Sequence, residues 1–136
     1  MSSRRDHAHR VALDPVTREY LEGQFQRKFY EAAVSQEPDN LECLLQLGDV
    51  YTRQGQYEKG LAIDLRLVGL CPEEPTFHYN LACSHALLGE AAACVTALRE
   101  AIRLGFPDID HLEEDEYLEN VRNTPEFRQL VAEFCH

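Results

Sequence analysis

The sequence predicts an all-helical protein of about six or seven helices, and three observations carry that expectation. Apolar residues recur at three- and four-residue spacing, and no segment alternates with period two for long enough to argue a strand. Glycine and proline cut the chain into pieces of helix length. The pattern of small, apolar and turn residues then returns after a slide of about 34 residues.

The elements follow in order. Residues 1–13 show little periodicity and are expected to form a flexible arm. Asp14-Pro15 is a cap followed by proline, and opens a helix over about 15–36. Its stripe of Val16, Tyr20, Phe29, Ala33 and Val34, with Leu21, Phe25 and Tyr30 beside it, is wide enough for a core face. Glu37-Pro38-Asp39-Asn40 ends it, and Asn40 caps a helix of about 41–54 that Gly55 closes. A helix of about 57–70 runs to the break at Cys71-Pro72. Pro75 starts one that ends before Gly89, and another covers about 91–104 before Gly105. Thr124-Pro125 begins a last helix of about 125–134. There Phe127, Leu130, Val131 and Phe134 share one face, which is expected to seal the hairpin of residues 91–119. The joints are short, and short joints make neighbouring helices antiparallel.

Composition bounds the function. The 136 residues are 44% hydrophobic and 27% charged, a globular balance with enough chain for a core. No run of 18 apolar residues spans a membrane, and MSSRRDHAHR is followed by VALDPV, so no secretory leader is expected. The net charge of -11 is uneven: residues 106–136 hold 2 basic and 9 acidic side chains. Such a surface repels a phosphate backbone, which argues against nucleic acid. The five cysteines are odd in number and lack a CxxC pair, so free thiols in a reducing, cytoplasmic setting are expected.

The repeat aligns Leu44, Leu47, Gly48, Tyr51, Gly55, Tyr57, Gly60, Leu61, Leu67 and Pro72 with His78, Leu81, Ala82, His85, Gly89, Ala91, Cys94, Val95, Ala101 and Phe106. Gly48/Ala82 and Gly60/Cys94 are small for small, and Gly55/Gly89 turn for turn. Gly48 and Gly60 lie on facing helices of one hairpin. Each costs roughly 0.5–1 kcal/mol of helix propensity, which close helix contact offsets.

These motifs resemble the tetratricopeptide repeat (TPR) family. Leu47-Gly48-Asp49-Val50-Tyr51 and Gln54-Gly55-Gln56-Tyr57-Glu58-Lys59-Gly60 carry its signature, and Pro72 its closing proline. Residues 75–108 match through Leu81-Ala82, Leu88-Gly89 and Ala97 to Ile102. Leu112, Asp115, Leu118, Val121-Arg122, Pro125 and Phe127 resemble the closing segment of many TPR arrays. The resemblance implies antiparallel helical hairpins stacked in a short right-handed solenoid. Residues 14–136 would then form a single domain, with a degenerate half repeat (14–40), two repeats (41–74 and 75–108) and a capping segment (109–136). The helix of 15–36 would cap the other end.

The resemblance also implies a non-catalytic interaction module that binds a protein or peptide segment in the concave groove. Carried over by position, that face includes Glu42, Leu45, Asp49, Thr52 and Arg53, then Tyr79, Asn80, Cys83, Ala86 and Leu87, with Tyr79 as the best aromatic anchor. Some relatives grasp a C-terminal carboxylate with lysine and asparagine. Here Leu45 and Asp49 stand at two of those places and only Asn80 agrees, so a partner of basic or apolar-basic character suits the charges better. The alternative is a structural unit that self-associates, through the groove or an array end, as a weak homodimer rather than a monomer.

No cofactor is expected. His78 and His85 lie on one helix and are read as packing residues, while His7 and His9 fall in the arm. No HExxH, zinc spacing, phosphate loop or calcium loop occurs, and Ser84 beside His85 points about 100° away from it. The acidic run of residues 111–116 reads as a solvated face or a docking surface for a basic partner.

Overall fold

Asp14 begins the fold. Its carboxylate accepts hydrogen bonds from the Thr17 amide (2.8 Å) and hydroxyl (2.6 Å), satisfying one of the open N–H groups of the first turn. The computed structural model describes residues 12–134, and the expectations for His7, His9, Cys135, His136 and most of the N-terminal arm lie outside them. The helices are α1 (Pro15–Gln36), α2 (Leu41–Arg53), α3 (Tyr57–Leu70), α4 (Pro75–Leu87), α5 (Ala91–Arg103) and α6 (Pro125–Phe134). Two 3-10 helices, Ile109–Glu114 and Glu116–Val121, lie between α5 and α6. The described residues form no strand.

Local chemistry sets each boundary. Asn40 accepts the Cys43 amide at 3.0 Å to start α2. Gly55 and Gly89 turn the two hairpins at φ of 76° and 75°, values that a side chain rarely adopts. Thr124 accepts the Phe127 amide at 3.3 Å to open α6. Consecutive helices pack in sequence, α1 on α2, α2 on α3, α3 on α4 and α4 on α5, so the hairpins stack into an all-helical solenoid.

The close approach of α2 and α3 rests on Gly48 and Gly60. A Cβ on Gly48 would meet Ile63 Cγ2 at 3.2 Å, and one on Gly60 would meet Thr52 Oγ1 at 3.1 Å. In the next hairpin Ala82 and Cys94 take these places and are fully buried. Leu47, Tyr51, Leu81 and Ala101 are also buried, while Tyr57 is half-buried. The Tyr51 hydroxyl donates to Glu31 at 2.5 Å, tying α1 to α2. Pro72 offers its carbonyl to His78 Nε2 at 2.8 Å, which gives that buried histidine a structural partner.

The core has two parts. One joins the end of α1 to α2 and α3 through Val34, Leu44, Leu47, Tyr51, Ile63 and Leu67. The other joins α4 and α5 to the closing segment through Leu81, Leu98, Leu112, Leu118, Phe127 and Leu130. Val68 touches both.

Two expectations about the ends need correction. In α6, Phe127, Leu130 and Val131 are buried against the α5 side of the core, but Phe134 remains 38% exposed because the helix ends beyond that surface. In α1, only Val34 of the apolar stripe is buried. Val16, Tyr20, Leu21, Phe25 and Phe29 are exposed. The 22 residues of α1 outrun the 13 of α2, so its N-terminal half overhangs, and its outer face meets no other described helix.

Candidate functional site

α3 packs against both α2 and α4, and side chains of α2 and α4 face a common space. Between them lies a cavity of about 270 Å³. Leu45, Asp49 and Thr52 of α2 line it on one side. Tyr79, Asn80, Cys83 and Leu87 of α4 line the other. Gly48, Asp64, Leu67 and Ser84 form the floor, and Asp115 and Tyr117 reach in from the closing segment.

Seven of the ten residues expected on the groove therefore meet in one cavity. The other three do not. Glu42 is exposed at the start of α2, where it accepts from Gln46 at 2.9 Å. Arg53 turns to Asp49 at 2.9 Å and toward Gln26 at 3.5 Å, and borders a second cavity beside α1. Ala86 is fully buried. It stands 34 residues after Thr52, whose side chain faces Gly60, so Ala86 turns inward to the α4–α5 core that holds Cys94.

Tyr79 is only partly available. Its hydroxyl donates to Asp115 Oδ2, and its ring stacks on Phe106 with centroids 4.3 Å apart and planes 6° from parallel. Asp115 in turn accepts the Tyr117 amide at 2.9 Å, and Arg122 donates to the Asp115 carbonyl at 2.8 Å. The closing segment thus covers one end of the groove, and Tyr117, 40% exposed, becomes its accessible aromatic. Burial first, and then the bond to Asp115, pushes the Tyr79 hydroxyl pKa well above the usual tyrosine value.

Sequence reasoning missed Asp64. It follows Ile63 on the inward face of α3, and a carboxylate at a core position was the available signal. Asp64 is buried, and Ser84 Oγ donates to its Oδ2. Burial raises its pKa to about 6, against the smaller opposing effects of the Ser84 bond and the His85 charge. The groove therefore holds three carboxylates, Asp49, Asp64 and Asp115, and its lining includes no lysine or arginine.

Burial pushes the Cys83 thiol above its ordinary range and the Cys94 thiol up to about 12, so both stay protonated and unreactive. The Ser84 hydroxyl is directed to Asp64, while His85 Nδ1 lies 2.8 Å from Glu90, so no serine–histidine pair forms. Among the described residues no group of three His, Cys, Asp or Glu side chains is placed to hold a metal ion.

Residues 29–62, from the last turns of α1 through α2 into α3, match the tetratricopeptide repeat family model. This window is similar to one tetratricopeptide repeat. The matched window is 34 residues long and contains Gly48, Tyr51, Gly55, Tyr57 and Gly60. This matched segment supplies the α2 wall of the groove. The chain is also similar to a chloroplastic protein of Arabidopsis thaliana, with 30% identity over 93 residues. That alignment takes in 66% of this chain and 28% of the relative's length.

Proposed function

We propose that this TPR chain is a protein-interaction module that receives a partner segment of basic and apolar character in the groove between α2 and α4. One observation carries the reading: Asp49, Asp64 and Asp115 stand among Leu45, Leu87 and Tyr117, while Arg53 pairs with Asp49 from outside the lining and leaves the groove net acidic. A lysine or arginine suits such a site, with its stem on the apolar wall and its charge at the carboxylates. Asp64 strengthens the case, because a buried carboxylate opposes folding unless something offsets it, and an incoming cation would do so. A C-terminal carboxylate would meet only like charge here. The thiols of Cys43, Cys71, Cys83 and Cys94 are free, which fits a reducing compartment such as the cytoplasm.

The test is fluorescence anisotropy with labelled peptides that alternate lysine or arginine with leucine, beside glutamate-containing controls of the same length. Basic peptides should bind, and binding should weaken as salt rises. Asp49→Lys, at an exposed groove position, should lower affinity by about tenfold. Equal binding of acidic and basic peptides, or no effect of salt, would reject the basic partner.

A further inference from the structure

The outer face of α1 carries Leu21, Phe25 and Phe29 at four-residue spacing, and they are 49%, 72% and 57% exposed. On the opposite face, α1 meets the body of the protein. Gly23 accepts a hydrogen bond from Gln54 (2.8 Å), Glu31 one from Tyr51 (2.5 Å), and Val34 enters the core. The exposed row is a continuous ridge of the helix surface, the kind that packs beside the same ridge of another helix at a crossing angle of about −50°.

The charges beside the ridge suit a second copy of the same ridge. Glu22 precedes Phe25 by three residues and Lys28 follows it by three, so they flank the ridge on opposite sides. Among the described residues neither takes part in an ion pair. A two-fold rotation about the ridge direction exchanges its two sides. It therefore brings Glu22 of one copy over Lys28 of the other, and the reverse, with the two Phe25 rings side by side at the centre. A face carrying both signs in this arrangement complements itself, as an isologous interface requires.

We propose that the protein self-associates through α1, with Leu21, Phe25 and Phe29 packed against the same ridge of a second copy and two symmetric Glu22–Lys28 pairs at its sides. This surface is at the far end of the molecule from the closing segment and leaves the groove open, so dimer formation and peptide capture are compatible. A single helix crossing belongs to the small interfaces, so the dimer is weak and forms at micromolar concentration.

Sedimentation equilibrium of the full chain with reductant, over about 1–200 μM, tests the proposal. The mass should rise from 15.6 kDa toward twice that value. Phe25→Glu should hold it at the monomer with an unchanged circular dichroism spectrum, since Phe25 contributes nothing to the core. Glu22→Lys and Lys28→Glu should each weaken the dimer by about three- to tenfold, and the double exchange should restore it at unchanged net charge. A monomer at every concentration would overturn the proposal. A dimer insensitive to Phe25→Glu would also overturn it and place the contact elsewhere. Failure of the double exchange to restore association would reject the two-fold pairing.

Discussion

Tyr79 donates its hydroxyl hydrogen to Asp115, 36 residues later, and this bond fastens the closing segment over the concave face. Tyr79→Phe keeps the stacking on Phe106 and leaves Asp115 without that donor. It should cost about 1–2 kcal/mol in urea denaturation. Amide exchange across residues 115–121 should quicken more than exchange in α2, because local opening releases that segment first. Equal acceleration everywhere would mean that the bond acts only on global stability.

Close helix contact separates Gly48 from Gly69. Gly48→Leu drives a side chain into Ile63 and should destabilise by roughly 3 kcal/mol or prevent folding. Gly69 lies within α3, with nothing within 4 Å of an added Cβ, so Gly69→Ala should stabilise by about 0.5–1 kcal/mol. Thermal unfolding of the two variants checks both signs.

Asp64 gives stability a distinctive pH dependence. Its folded-state pKa of about 6 lies above the 3.8 of an unperturbed carboxyl, so between these values the folded chain binds more protons than the unfolded one. Its contribution is therefore most favourable below pH 3.8 and is lost as pH rises through about 6. Asp64→Asn removes the charge and keeps an acceptor for Ser84. Its stability relative to the parent should be near zero at about pH 4 and reach roughly 2–3 kcal/mol at about pH 7.5. A constant difference across that range would show that Asp64 is not the titrating group.

The closing helix should divide sharply between two phenylalanines. Phe127 is fully buried and Phe134 is partly exposed at the helix end. Phe127→Ala should cost about 3–5 kcal/mol, and Phe134→Ala less than about 1 kcal/mol. Chemical denaturation measures both.

Helix positions were legible because their signals are local. Asp14, Asn40 and Thr124 cap through hydrogen bonds within three residues, and Gly55 and Gly89 reverse the chain by their own backbone conformation. The α2–α3 contact was legible for a related reason: Gly48 and Gly60 fall on the facing helices of one hairpin, and both positions return as small residues 34 places later, which marks a close helix approach. The groove was anticipated in part through the family resemblance, and seven of the ten residues that it implied line one cavity.

What periodicity could not assign was which apolar face would find a partner. The stripe of α1 and that of α6 are both helical in spacing, yet α6 buries three residues against the α5 side of the core while α1 leaves its ridge in solvent. Likewise, Tyr79, Asp64 and Asp115 are far apart in the chain and meet only when α3, α4 and the closing segment stack. The sequence alone determined the helices, their caps and the order of their hairpins, since those depend on neighbours a few residues away. The tertiary structure decided which carboxylates share the groove, how far Tyr79 is covered and which apolar ridge stays open, because burial depends on contacts between distant segments.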